Sequence, residues 1–316
     1  MARCLVTGVA GFVGSHLAEA LISQGHQVIG VDCFTDYYAE RLKRRNIEHL
    51  VDAPRFSLLE LDLATDALEP VVAGIELIFH EAGQPGVRGS WGQSFESYLH
   101  DNVLATQRLL EASKGLPIRR FVYASSSSVY GDIAELPISE LALPQPNSPY
   151  GVTKLAAEHL GLLYWRNHGI PVVALRYFTV YGPRQRPDMA FHKFIKAAFS
   201  GGAIAVYGDG EQTRDFTYIS DIITANLAAA EAPCAGQVMN IAGGSRVSVR
   251  HVLDLVGRSV RRPLNVQHEP AQKGDVRHTF ADTGRARSAL GFAPEVPLEK
   301  GLQAEVAWVK ELYGVD

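Results

Sequence analysis

Long uninterrupted apolar runs are missing from this sequence, and with them the simplest route into a membrane. No stretch approaches the ~20 apolar residues that cross a bilayer. The opening "MARCLVTGVAG" breaks at a glycine turn, without the length or cleavage pattern of a secretory signal. Cysteine is scarce as well: Cys4, Cys33 and Cys234 are an odd number with no C-x-x-C spacing, which argues against a disulfide framework and a thiolate zinc site. A reducing cytoplasm is therefore the expected compartment, and no metal site is expected. Nor does one charge sign dominate. Lys and Arg number 30 against 34 Asp and Glu, a formal net charge of -4, so no general basic field is present to hold a nucleic acid or an anionic membrane. Any anion has to be met locally. Internal repeats and low-complexity tracts are absent too, the serine run at 125–128 being the one local bias.

What is present is enough chain, 316 residues at 47% hydrophobic and 20% charged, for a large core or a core plus a smaller lobe. Up to about residue 176, short apolar runs ("RCLVT", "QVIGV", "FSLLEL", "IELIF", "RFVYAS", "PVVALRY") alternate with amphipathic stretches at 12–24, 38–50, 94–114 and 150–168. Strands apolar on both faces and separated by helices predict an α/β fold, a doubly wound parallel Rossmann sheet. After Tyr177 the rhythm gives way to Pro- and Gly-containing loops, short strands such as "IAVYG" and isolated helices at 248–258 and 298–312. Residues 219–230 followed by "QVMNIAGG" again read as helix then strand and are expected to rejoin the main sheet. The expected division is thus 1–176 with about 219–243 for the Rossmann domain, and 177–218 with 244–316 for an interleaved substrate lobe.

In "LVTGVAGFVGSHLAEAL", Gly8, Gly11 and Gly14 leave a strand and enter a helix, with Phe12 and Val13 between the last two. Glycines there let backbone approach a pyrophosphate held on amide N–H groups at the helix start. The spacing is G-x-x-G-x-x-G, and glycines between strand and helix are also ordinary turn residues. The second strand, however, ends at Asp32, where a carboxylate can accept hydrogen bonds from an adenosine ribose and repel a 2'-phosphate. NAD is therefore expected rather than NADP, with Asp62 and Leu63, at the end of "LLELDL", beside the adenine.

In "SPYGVTK", Tyr150 and Lys154 lie four apart on one helix face. A phenol of ordinary pKa about 10 becomes a usable base if a nearby ammonium and a cationic nicotinamide favour phenolate. The same pair also occurs on solvated helix faces. "FVYASSSSVYG" adds a strand that runs into four hydroxyls at the end of the sheet where α/β folds hold ligands.

Together with "RYFTVYGP", these motifs resemble an extended short-chain dehydrogenase/reductase of the NAD-dependent nucleotide-sugar epimerase/dehydratase type over nearly the whole chain. The resemblance implies that Ser126 orients a sugar hydroxyl, Tyr150 takes its proton, and Lys154 holds the nicotinamide ribose while lowering the Tyr pKa. It also puts Tyr177 and Thr179 on the floor of the site and Asn102 on the cofactor side. "GDGEQTRDF" and "GDVRHTFAD" are similar to the family's nucleotide-diphosphate segments, which implies Arg214 and Arg277 on the phosphates and Asp275 near uridine.

Within the family, sugar 4,6-dehydratases carry an acidic pair where this chain has serines, UDP-glucuronate decarboxylases a Glu where it has Ser128, and UDP-galactose 4-epimerases an Asn where it has Thr179. "RYFTVYGPRQRPDMAFHKF" and "QPGVRGSW" look most like UDP-glucuronate 4-epimerases. That likeness implies a UDP-sugar whose C5 carboxylate meets Ser127, Ser128 and Thr179, with Arg186 near the same wall and Arg88 a further candidate; the lesser alternative leaves Arg184 and Arg186 as loop cations facing solvent. A neutral or N-acetylated UDP-hexose 4-epimerase, a decarboxylase, and a protein binding NAD only as a regulator remain alternatives. Apolar positions Leu99, Val103, Leu109, Leu155, Leu160 and Leu163 recur at helical spacing. By resemblance, helices 94–114 and 150–168 pair in a homodimer.

Overall fold

The strand-and-helix rhythm of the first 176 residues is realised in the computed structural model, which describes residues 1–270 and 274–315. In chain order come β1 (Arg3–Thr7), α1 (Phe12–Ser23), β2 (Gln27–Asp32), α2 (Glu40–Val51), β3 (Phe56–Glu60), α3 (Glu69–Val72), β4 (Leu77–His80), α4 (Phe95–Tyr98), α5 (Ala105–Ala112), β5 (Arg120–Ser126), α6 (Pro149–His168) and β6 (Val172–Tyr177). The chain then leaves the sheet through β7 (Thr179–Tyr181), α7 (Ala190–Ser200), β8 (Ala203–Tyr207) and β9 (Thr213–Tyr218). It returns with α8 (Ile219–Glu231) and β10 (Val238–Ile241), and finishes as β11 (Arg246–Ser248), α9 (Val249–Val260), β12 (Asn265–Glu269), α10 (Gly284–Leu290) and α11 (Leu298–Tyr313).

Seven parallel strands form the main sheet in the order β10-β6-β5-β4-β1-β2-β3. The order reverses between β1 and β4, which opens a crevice at the carboxyl ends of those strands. Leu17 and Leu21 of α1 and Ile222 and Ala225 of α8 cover one face of the sheet. Leu109 of α5 and Ala157 of α6 cover the other. The expected return of 219–230 and "QVMNI" is observed, since β10 pairs with β6 from Val238↔Ala174 to Ile241↔Tyr177. Outside the sheet, β11-β9-β7 and β12-β8 form two small sheets, and α7, α9 and α11 share a core around Phe191, Ile195, Val256 and Leu302. Among the described residues no helix is long and apolar enough to cross a membrane.

One expected element is not uniform. The helix read over 94–114 is α4 and α5 joined by a π-helical segment, Leu99–Leu104. Asn102 sits in that widened turn and is buried, bonding the Gln84 backbone through both ends of its amide (2.7 and 3.1 Å) and the Thr153 hydroxyl of α6 (3.0 Å). Such turns recur at functional sites, and this one holds the β4–α4 loop against the helix that carries Tyr150.

Helix α6 is fixed to the sheet by a buried ion pair. Glu158 receives Arg176 of β6 through Nη2 (2.6 Å) and Nε (2.9 Å), and the Ser125 hydroxyl of β5 (2.6 Å). The two charged side chains are 5% and 1% exposed. Removing one partner of such a pair strands the other charge in a dry interior. Glu158→Ala is therefore expected to lower the unfolding free energy by roughly 3–5 kcal/mol in urea titrations; an unchanged midpoint would mean the pair contributes little to stability.

Candidate active site

The crevice at the switch point is a cavity of about 450 Å³ lined from both halves of the chain. Its first wall is the glycine turn. Gly8 has φ +67, and a Cβ on Gly14 would lie 2.2 Å from the Gly8 carbonyl oxygen, so the start of α1 packs directly on the turn only because no side chain intervenes. Phe12 and Val13 line the same wall. At the end of β2, Asp32 accepts the backbone N–H groups of Ala10 (3.0 Å) and Phe34 (2.9 Å). Burial raises its pKa, against those bonds and the charge of Lys43. A carboxylate has room for further donors beyond these two, so ribose hydroxyls can still reach it. Asp62 and Leu63 close the far end of the cavity, where the Asp62 carboxylate already accepts the Ala64 N–H (2.8 Å). A backbone cradle at a helix start with a carboxylate at the next strand end fits a dinucleotide.

The second wall holds the reactive groups. Ser126 ends β5 and caps a short turn, Ser127–Val129, its hydroxyl accepting the Ser128 N–H (3.1 Å). Ser148 caps α6 by accepting the Gly151 N–H (3.1 Å), with Pro149 in the first turn. A Cβ on Gly151 would lie 2.4 Å from the Ser128 carbonyl oxygen. Glycine there lets the helix press onto the serine turn and brings Tyr150 beside Ser126. Tyr177 and Thr179 complete the floor, Ser126 and Tyr177 being register partners in β5 and β6.

The electrostatics correct one expectation. Burial raises the Tyr150 pKa, and the groups opposing it are the Ser126 hydroxyl and the Arg186 charge. Lys154 is not among them: its ammonium lies 4.6 Å over the Tyr123 ring, and burial lowers its own pKa to about 8 against the charges of Glu81 and Glu158.

Glu81, unmarked in the sequence reading, also lines the cavity. It accepts the Tyr177 hydroxyl (2.9 Å), and burial lifts its carboxyl to about 7. An acid at the end of β4 was the available signal. Lys43 was missed too; it lines the adenosine end and donates to the Thr35 hydroxyl (3.0 Å).

The two loop arginines part company. Arg186 lines the cavity with Ser127, Ser128 and Thr179. Arg184 points away, bonding Glu19 of α1 through both nitrogens of its fork (2.7 and 3.0 Å), and so anchors the loop rather than facing a ligand or solvent. Four other expected substrate contacts lie outside the cavity lining and are engaged with protein groups. Arg88 pairs with Asp275 (2.6 Å) and stacks on Tyr207, and Arg277 pairs with Asp209 (2.7 Å). Arg214 donates to the Thr213 carbonyl (2.9 Å) and, more weakly, to that of Arg277 (3.4 Å). Among the described residues no group of His, Cys, Asp and Glu is arranged to hold a metal.

Comparison with known proteins adds independent information. Residues 4–242 match the model of the NAD dependent epimerase/dehydratase family. A Bacillus subtilis (strain 168) protein named as an uncharacterized UDP-glucose epimerase, YtcB, is 43% identical over 98% of this chain and 99% of its own length. A UDP-glucuronate 4-epimerase of Thermodesulfobacterium geofontis is 35% identical over 98% of this chain and 97% of its own. The crystal structure of UDP-glucuronic acid 4-epimerase from Bacillus cereus, in complex with UDP-glucuronic acid and NAD, superposes with a TM-score of 0.96 at 42% identity, covering 98% and 100% of the two chains.

The glycine cradle carries a direct test. Gly14→Ala sets a methyl group against backbone that cannot yield, so the purified variant is expected to have lost most of its bound NAD, measured as nucleotide released per protein on denaturation. Wild-type NAD content in the variant would show that the cradle does not hold the pyrophosphate.

Proposed function

The chain belongs to the NAD dependent epimerase/dehydratase family, and we propose that within it the protein is a UDP-glucuronate 4-epimerase, interconverting UDP-glucuronate and UDP-galacturonate. The observation that carries this reading is the composition of one wall: Tyr150 and Ser126 share the cavity with Ser127, Ser128, Thr179 and Arg186. Hydroxyls and a guanidinium suit a carboxylate, whereas dehydration and decarboxylation in this family use an acid in the serine turn.

In this mechanism Ser126 holds the C4 hydroxyl and Tyr150 removes its proton. Bound NAD takes the C4 hydride and later returns it, and its cationic ring favours the Tyr150 phenolate. Lys154 orients the nicotinamide ribose, with Asn102 bracing the loop beside it. The 4-keto sugar turns about its bond to the diphosphate, presents its other face, and recovers the proton from Tyr150. A 4-keto uronic acid is a β-keto acid, and it loses carbon dioxide most readily when the carboxylate bond stands perpendicular to the ketone plane. Ser127, Ser128, Thr179 and Arg186 hold the carboxylate out of that geometry. Residues 1–176 with 219–243 bind NAD in this reading, and 177–218 with 244–316 bind the nucleotide, where Arg214, Asp275 and Arg277 exchange protein partners for UDP.

The reading extends to assembly and place. Leu99, Leu104, Val152 and Leu163 are 43–52% exposed on the π-helical segment and α6. That surface supports a homodimer through these helices, and three free thiols support a cytoplasmic site of action. The name of the B. subtilis relative favours a second reading, a UDP-glucose epimerase.

Proton NMR of purified protein with UDP-glucuronate and no added NAD is expected to show UDP-galacturonate without UDP-pentose; conversion of UDP-glucose alone would establish the second reading. Tyr150→Phe should lower kcat by about 10²–10⁴-fold, and a smaller loss would place the base elsewhere. Arg186→Ala is expected to increase the UDP-pentose fraction, and an unchanged product ratio removes Arg186 from carboxylate control.

A further inference from the structure

We propose that Asp188 determines how strongly the site grips a sugar acid, by neutralising Arg186 with a carboxylate of the protein's own. Nε and Nη2 of Arg186 donate to the two Asp188 oxygens at 3.0 and 3.1 Å. From the β2–α2 loop, the Tyr37 hydroxyl donates to the same carboxylate at 3.2 Å. Nη1 makes no hydrogen bond among the described residues. Both members of the pair are largely buried, their side chains 20% and 31% exposed. Burial pushes the Asp188 carboxyl up, and the Arg186 charge together with the hydrogen bonds from Arg186 and Tyr37 more than reverses it, leaving the group below its ordinary range. What the cavity meets is therefore a donor within a neutral pair, not a free cation.

The chemistry gives this a purpose, and the argument rests on the epimerase reading. A free guanidinium would bind a C5 carboxylate by a bidentate, charge-assisted pair. Such a pair stabilises one pose of the sugar, while epimerisation requires the keto sugar to release its contacts and present the opposite face. Binding that favours the ground state lowers KM without raising kcat. Asp188 keeps the hold directional, through hydroxyls and Nη1, while leaving it releasable.

The test compares Asp188→Asn with the unaltered site. Calorimetric titration of UDP-glucuronate and UDP-glucose into the NAD-bound protein, both forms carrying Tyr150→Phe to prevent turnover, measures grip. Steady-state kinetics without Tyr150→Phe measures release. Asp188→Asn is expected to tighten UDP-glucuronate relative to UDP-glucose by at least about tenfold, and to lower both KM and kcat for the uronate. Weaker uronate binding, or an equal change for both sugars, overturns the proposal and makes Asp188 a brace for Arg186. Where Asp188→Asn does not fold, Asp188→Ala takes its place in the same comparison. Turnover of UDP-glucuronate by the unaltered enzyme tests the epimerase reading separately. A uronate-selective gain stands even if only neutral hexoses react, and turnover without that gain refutes only the role of Asp188.

Discussion

Everything at the candidate site depends on how α6 is fixed to the sheet. Tyr150, Lys154 and Glu158 recur every four residues and face β5 and β6 together. Glu158, the deepest, is bound by Arg176 and Ser125. Its fixed position sets the depth of Lys154 and Tyr150 one and two turns earlier. The helix start is set from the other end by Ser148 and by Gly151 pressing on the Ser128 carbonyl. With both ends determined, the phenol meets the Ser126 hydroxyl without either side chain having to search.

Burial then poises the charges. It lowers Lys154 to about 8 and raises Glu81 to about 7, drawing together two groups that titrate far apart in water, while it raises Tyr150 away from both. Glu81 supplies a negative charge that helps keep Lys154 an ammonium. The same low polarity makes the Arg186–Asp188 pair significant. A lone cation in that wall would dominate every ligand entering it.

The fold was legible because its signals are local. Apolar runs bounded by turns gave the strands, and Gly8, Gly11, Gly14, Asp32, Tyr150 and Lys154 lie within short segments whose spacing carries the chemistry. Pairings distant in the chain were not legible. Arg184 looked equivalent to Arg186 until Glu19, 165 residues away, took it. Arg88 and Asp275 were each expected at a ligand, and 187 residues separate them as partners. Ser125 belonged by sequence to the reactive run, yet its hydroxyl is consumed by Glu158. The π-helical turn at Asn102 has no periodic signature over six residues, and in its absence a single helix was expected. Asp188 was inside the quoted "RPD" motif, but only geometry showed that it closes on Arg186.

The central claim is that C4 is oxidised and then reduced by the same hydride, with Tyr150 handling the proton. UDP-glucuronate carrying deuterium at C4, converted in ordinary water and examined by NMR, tests this most directly. The account predicts UDP-galacturonate that retains deuterium at C4, because the hydride never exchanges with solvent. Product with protium at C4 would contradict it and require an exchangeable proton, not a hydride, to be the group that changes faces.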